Sequence, residues 1–122
     1  MDICLAWVLG AALVRLPSPV TLAWEHSVEH VTIEEEWEAV DGRLVLRETR
    51  VGGPGAGIDI PERARRVGAQ WRYAPALPPQ REVQFANSRH AAGYRVCAAG
   101  ECRPLRELAG VDRAVVMTAC HP

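Results

Sequence analysis

An all-β domain, a small antiparallel sandwich or barrel behind an N-terminal apolar leader or anchor, is the fold class that this sequence predicts. Three observations carry the prediction. Short runs alternate apolar and polar residues with period two. A two-residue Asp41-Gly42 hairpin signal sits between two such runs. Glycine- and proline-rich punctuation, Gly52-Gly53-Pro54-Gly55-Ala56-Gly57 and Pro75-Ala76-Leu77-Pro78-Pro79, breaks the chain into loops. With 122 residues, 48% hydrophobic and 24% charged, the chain has room for one domain of ordinary size. We divide it into a segment 1–16, a signal peptide or membrane anchor, and a single all-β domain 17–122.

The first element is the run Ile3 to Val14, twelve residues without a charge, closed by Arg15, Pro17 and Pro19. A membrane-crossing helix needs about 20 apolar residues and a signal-peptide core roughly 7 to 15, so length favours an export signal or a short anchor. Asp2 precedes the run and no basic residue does, and no clean Ala-x-Ala cleavage site follows. A buried N-terminal strand or helix is the alternative.

Six strands follow, at 20–28, 31–40, 43–51, 81–86, 94–97 and 114–120. In the first, Val20, Leu22, Trp24, His26 and Val28 share one face. A helix competes over 28–40, where Ile33, Trp37 and Val40 are spaced by four and three. The Asp41-Gly42 turn decides for strands and fixes a register in which Val40 faces Arg43. Continued outward, that register sets Trp37 against Leu46, Glu36 against Arg47, Glu35 against Glu48, Glu34 against Thr49 and Ile33 against Arg50. Residues 1–42 carry one Arg and eight acids, whereas 43–122 carry thirteen Arg and seven acids, for a net charge of -1 overall. Neighbouring strands of opposite charge neutralise one another, so the acidic run reads as a pairing device. A chain so nearly neutral is no general nucleic-acid binder.

Cys97 and Cys102 bracket a turn-like insert, a spacing that suits a disulfide across a hairpin and hence an oxidising compartment. Free thiols and a zinc site using Cys97, Cys102, Cys120 and His121 are the competing uses, but close C-x-x-C spacing is absent. Cys120 has no obvious partner.

The best candidate cluster is Glu35, Glu48 and Arg50, because two carboxylates set against each other across a ladder need a cation or a shared proton. His26-Ser27-Val28-Glu29-His30 spells an inverted zinc-peptidase motif. On a strand its two histidines would stand about 13 Å apart, too far to share an ion. Ser27 beside His26 lacks a nucleophile elbow. The glycine-rich loop precedes no helix and no Lys-Ser/Thr, so it is no phosphate cradle, and no cofactor fingerprint appears. Asn87-Ser88 reads as a turn or cap that, with Trp71 and Tyr73, could line a pocket.

Taken in order, several pieces form a recognisable set: Leu22-Ala23-Trp24-x-His26-Ser27-Val28-Glu29, the acidic pair before Trp37, and Glu48-x-Arg50. Gly55-Ala56-Gly57, Leu77-Pro78-Pro79, Ala86-Asn87-Ser88 and Cys97-x4-Cys102-Arg103-Pro104-Leu105 complete it. The chain resembles the bacterial family called domain of unknown function 1850. The resemblance implies a small exported or membrane-anchored protein, often encoded beside TAXI-type TRAP transporters, and it implies no activity. His26, Ser27, Glu29, Glu35, Glu48, Arg50, Asn87 and Ser88 carry over as family-like polar residues, and His30 falls outside the pattern. The expectation is therefore a non-enzymatic periplasmic module, with residues 3–14 as its candidate inner-membrane anchor. Its expected partner is the membrane subunit of such a transporter. The alternative is a periplasmic binder in which the carboxylates hold a cation or Arg50 holds an anionic solute.

Overall fold

A computed structural model of the 122-residue chain describes residues 1–26, 31–53, 60–87 and 93–120. The strands are β1 (Asp2–Trp7), β2 (Ala12–Pro17), β3 (Val20–His26), β4 (Val31–Val40), β5 (Arg43–Gly52), β6 (Arg65–Val67), β7 (Gln70–Tyr73), β8 (Glu82–Phe85), β9 (Arg95–Ala98), β10 (Glu101–Pro104) and β11 (Val115–Cys120), with one short helix, α1 (Leu105–Ala109), between β10 and β11. They form two antiparallel sheets, one of four strands in the order β2-β1-β11-β8 and one of seven in the order β10-β9-β3-β4-β5-β7-β6. The result is a sandwich and not a closed barrel.

All six strands expected from alternation are present, and 31–40 is a strand, not the competing helix. Asp41 and Gly42 both have positive φ, 50° and 77°, as a primed two-residue turn requires. The same turn type recurs at Ala99 and Gly100, φ 52° and 82°, between β9 and β10. It sets Cys97 directly against Cys102, and the two form the expected disulfide.

The apolar run 3–14 departs from expectation. Residues 2–17 are β1 and β2, with Ile3 and Leu5 fully buried in the core, so the buried-strand alternative describes them and the anchor does not. Alternation is hidden there because the outward face of the hairpin also carries apolar residues, among them Ala6 paired with Ala12. Cys4, also on that outward face, is disulfide-bonded to Cys120, the partner that local spacing could not show. No helix among the described residues is long and apolar enough to cross a membrane.

The core lies between the sheets. Ile3, Leu5, Phe85, Val115 and Met117 from the small sheet meet Val20, Leu22, Trp37, Ala39, Leu44, Leu46 and Val96 from the large one, and Leu105 and Ala109 of α1 close one end. Burying each Leu or Ile side chain contributes roughly 2 kcal/mol. The small sheet thus covers the inner face of the large sheet and leaves its outer face bare of any second layer among the described residues.

Candidate functional site

The outer face of the large sheet is built by one bulge. From the turn outward, Val40–Arg43, Ala39–Leu44, Glu38–Val45 and Trp37–Leu46 pair as the register from the turn requires. Between Glu36 and Trp37 the register shifts by one, because Arg47 is an extra residue on β5 that faces no single partner. Its guanidinium reaches back to Glu38, Nε to Oε2 2.6 Å. Beyond the bulge Glu36 faces Glu48, Glu35 faces Thr49, Glu34 faces Arg50 and Ile33 faces Val51, which corrects every pairing expected past Trp37.

The correction separates the predicted cluster. Glu48 and Arg50 stay together on the outer face, while Glu35 lies on the inner face with Leu22 and Thr49 across from it. Arg50 sits at the centre of three carboxylates. Its Nη1 donates to Glu48 (3.0 Å) and Glu36 (3.3 Å), its Nη2 to the Thr21 hydroxyl (3.4 Å), and its Nε lies 3.6 Å from Glu34. Arg72, opposite Arg50 on β7, lies 3.8 Å from Glu48, and its Nη2 donates to Gln70, whose amide donates to Glu34 at 2.8 Å. Burial alone would lower the Arg50 pKa, but the hydrogen bond to Glu48 and the charges of Glu34 and Glu36 outweigh it and hold it above its ordinary value.

All three guanidinium nitrogens of Arg50 are thus engaged by the protein itself. An anionic solute could reach Arg50 only by displacing a carboxylate, and a cation would compete with Arg50 for the acids. Glu34, Glu36, Gln70, Arg72 and Thr21 escaped the sequence reading. A signal for them exists: Leu44 and Leu46 are buried at even positions and Val51 at an odd one, and only a bulge between them reconciles the two phases.

On the inner face, burial holds the Glu35 carboxyl above the usual carboxylate range, an effect that the neighbouring Trp37 indole partly offsets. The indole Nε1 is itself buried and makes no well-formed hydrogen bond among the described residues. Tyr94 packs between Trp24 and Phe85, with ring centroids 5.3 and 5.0 Å away. Burial and the Glu35 charge push its phenol pKa up.

The remaining candidates scatter. His26 ends β3, at the opposite end from Val20, and its side chain, with Ser27, Glu29 and Ser88, lies outside the described residues. The inverted zinc motif falls there too. Asn87 is a clasp: its side-chain amide donates to Gly110 O at 2.8 Å and its backbone carbonyl accepts from Asp112 N at 2.6 Å. Trp71 and Tyr73, opposite Val51 and Thr49 on β7, belong to the other sheet. The cysteines offered as zinc ligands are all in disulfides, and no group of three or more metal-ligating side chains occurs among the described residues.

A family model described as domain of unknown function (DUF1850) matches residues 20–105. The chain belongs to the DUF1850 family. The matched stretch contains every strand of the large sheet, together with β8, and so carries the whole charged face of this DUF1850 protein. Strands β1, β2 and β11, which close the core from the other side, lie outside it. No curated protein and no solved structure gives a match.

Proposed function

We propose that this DUF1850 protein is a non-catalytic interaction module of the extracytoplasmic side of the inner membrane that docks its charged sheet face on the membrane subunit of a TAXI-type TRAP transporter. One observation carries the docking part: among the described residues no second layer covers the outer face of the large sheet, and that face carries an ordered charge lattice. A single ladder row runs Arg95, Ala23, Glu34, Arg50, Arg72, Arg65 across six strands. With strands about 4.8 Å apart, this row is about 24 Å long. Its centre is cross-linked by ion pairs, so little side-chain entropy remains to be lost on association. The transporter as partner is supported by the family resemblance, and the oxidising side of the membrane by the two disulfides. Residues 2–17 are committed to the sandwich, and in this reading the docked sheet face holds the module against its partner.

The test is an affinity pull-down from detergent-solubilised membranes with a C-terminal tag, comparing the native chain with Arg47→Glu/Arg65→Glu. Both residues are exposed on this face and away from the core. Recovery of the transporter's membrane subunit by the native chain, with loss in a variant of unchanged melting temperature, supports the reading. Absence of that subunit, or equal recovery by both, contradicts it.

A further inference from the structure

We propose that the turn between β1 and β2 is a lipid-contacting tip that dips into the surface of a phospholipid bilayer, with Leu9 at its apex and Trp7 and Arg113 at the level of the headgroups. No charged residue occurs from Ile3 to Val14, and the strands on either side of the turn are built into the sandwich. The turn stands at the end of the small sheet where β11 begins, since Trp7 pairs with Val115 and the Val8 amide donates to Ala114 O at 3.0 Å. It is separate from the charged face of the large sheet.

Leu9 departs from what the fold alone requires. It is fully exposed and has φ 55°, a left-handed conformation that glycine and asparagine accept and leucine resists. With Gly10, Ala11 and Ala12 also exposed, the apex presents an uncharged surface to the outside. Its backbone suits a water-poor layer, because the Trp7, Val8 and Gly10 amides donate to the carbonyls of Ala11, Ala114 and Trp7 at 3.2, 3.0 and 3.0 Å. Behind the apex the Arg113 guanidinium lies 3.9 Å over the Trp7 ring, whose Nε1 donates to Ala109 O at 3.0 Å. Gly10 lets this stack close: a Cβ there would come within 2.8 Å of Trp7 Cβ and 3.1 Å of Arg113 Nη2. An aromatic ring beside a cation is the pairing found at membrane boundaries, the ring at the headgroup level and the cation on phosphate. Arg113 is exposed and makes no ion pair among the described residues, whereas its neighbour Asp112 already has a partner. Size decides for lipid over protein. One turn falls far short of the roughly 800 Å² that each partner buries in a stable protein interface, while a bilayer needs only an apolar apex and a cation.

Flotation of the full chain with protein-free vesicles reads this independently of any docking partner. The native chain is expected to bind mixed phosphatidylethanolamine and phosphatidylglycerol vesicles reversibly at millimolar lipid, and phosphatidylcholine vesicles more weakly. Leu9→Asn is expected to lower the partition coefficient at least tenfold with an equal or higher melting temperature, since asparagine suits the turn. Arg113→Ala is expected to weaken binding more on the vesicles containing phosphatidylglycerol than on phosphatidylcholine. In ¹⁵N spectra, lipid carrying a headgroup spin label should broaden the amides of residues 7–12 selectively. No flotation at millimolar lipid, or binding that survives Leu9→Asn unchanged, overturns the proposal. So does broadening centred on the arginine-rich outer face of the large sheet, or a Leu9-dependent dimer without vesicle binding.

Discussion

Replacing Cys4 and Cys120 by serine opens a loop of sequence separation 116, whereas replacing Cys97 and Cys102 opens one of only 5. In the chain-entropy account the stabilisation grows with the logarithm of loop length, which gives about 5 kcal/mol for the first bridge and about 2 kcal/mol for the second at 25 °C. The second also sits in a hairpin already held by a two-residue turn, so its loss leaves β9 and β10 paired. The first joins β1 to β11, neighbouring strands at the heart of the small sheet, and those strands supply Ile3, Leu5, Val115 and Met117 to the core. Urea unfolding of the two double variants under non-reducing conditions is expected to separate them by about 2–3 kcal/mol in extrapolated stability. The Cys4→Ser/Cys120→Ser variant should also show the larger m-value, because its unfolded chain is free of the long cross-link and exposes more surface. At roughly 3–5 °C per kcal/mol for a chain of this size, the melting temperatures should differ by about 10 °C. Equal losses, or a greater loss from the short bridge, would refute the reasoning.

Three further outcomes follow from the same geometry. Leu5→Ala, at a fully buried position of β1, should cost about 3 kcal/mol in urea unfolding, whereas a dispensable leader would make it silent. Arg50→Ala leaves three carboxylates facing one another; because those acids are a quarter to a third exposed, the loss is discounted to about 2 kcal/mol. Molar salt should shrink that loss, and salt-independence would show that the charges are not its source. Glu35 has a raised folded-state pKa, so the folded chain binds its proton more tightly than the unfolded chain does, and stability falls as pH climbs from the unfolded value through the folded one. Glu35→Gln should therefore raise the melting temperature at pH 7 and leave it nearly unchanged below about pH 4, where the carboxyl is neutral in both states.

How legible this fold was depended on whether its two sheet faces differ in polarity. β3, β4 and β5 bury one face and solvate the other, and their alternation, with the Asp41-Gly42 turn, gave strands and local register together. The hairpin of β1 and β2 has apolar residues on both faces, so nothing in its pattern separates a strand pair from a leader. β6 and β7, of three and four residues, are too short and too arginine-rich to read as strands. The site was half legible for a different reason. Glu48 and Arg50 lie two apart on one strand and share a face whatever the partner does, but Glu35 depended on cross-strand register, and one inserted residue, Arg47, moved it to the other face. The partner of Cys120 is 116 residues away and leaves no local trace.

Which face of the sandwich meets the partner is the point on which the account turns. A photo-cross-linking amino acid placed at Arg65, on the outer face of the large sheet, or at Glu82, on the outer face of the small sheet, puts an equivalent probe on each side. Irradiation in native membranes followed by identification of the adducts should join the transporter's membrane subunit to the Arg65 position and not to Glu82. Adducts to that subunit from Glu82 alone, or from neither position, would contradict the account.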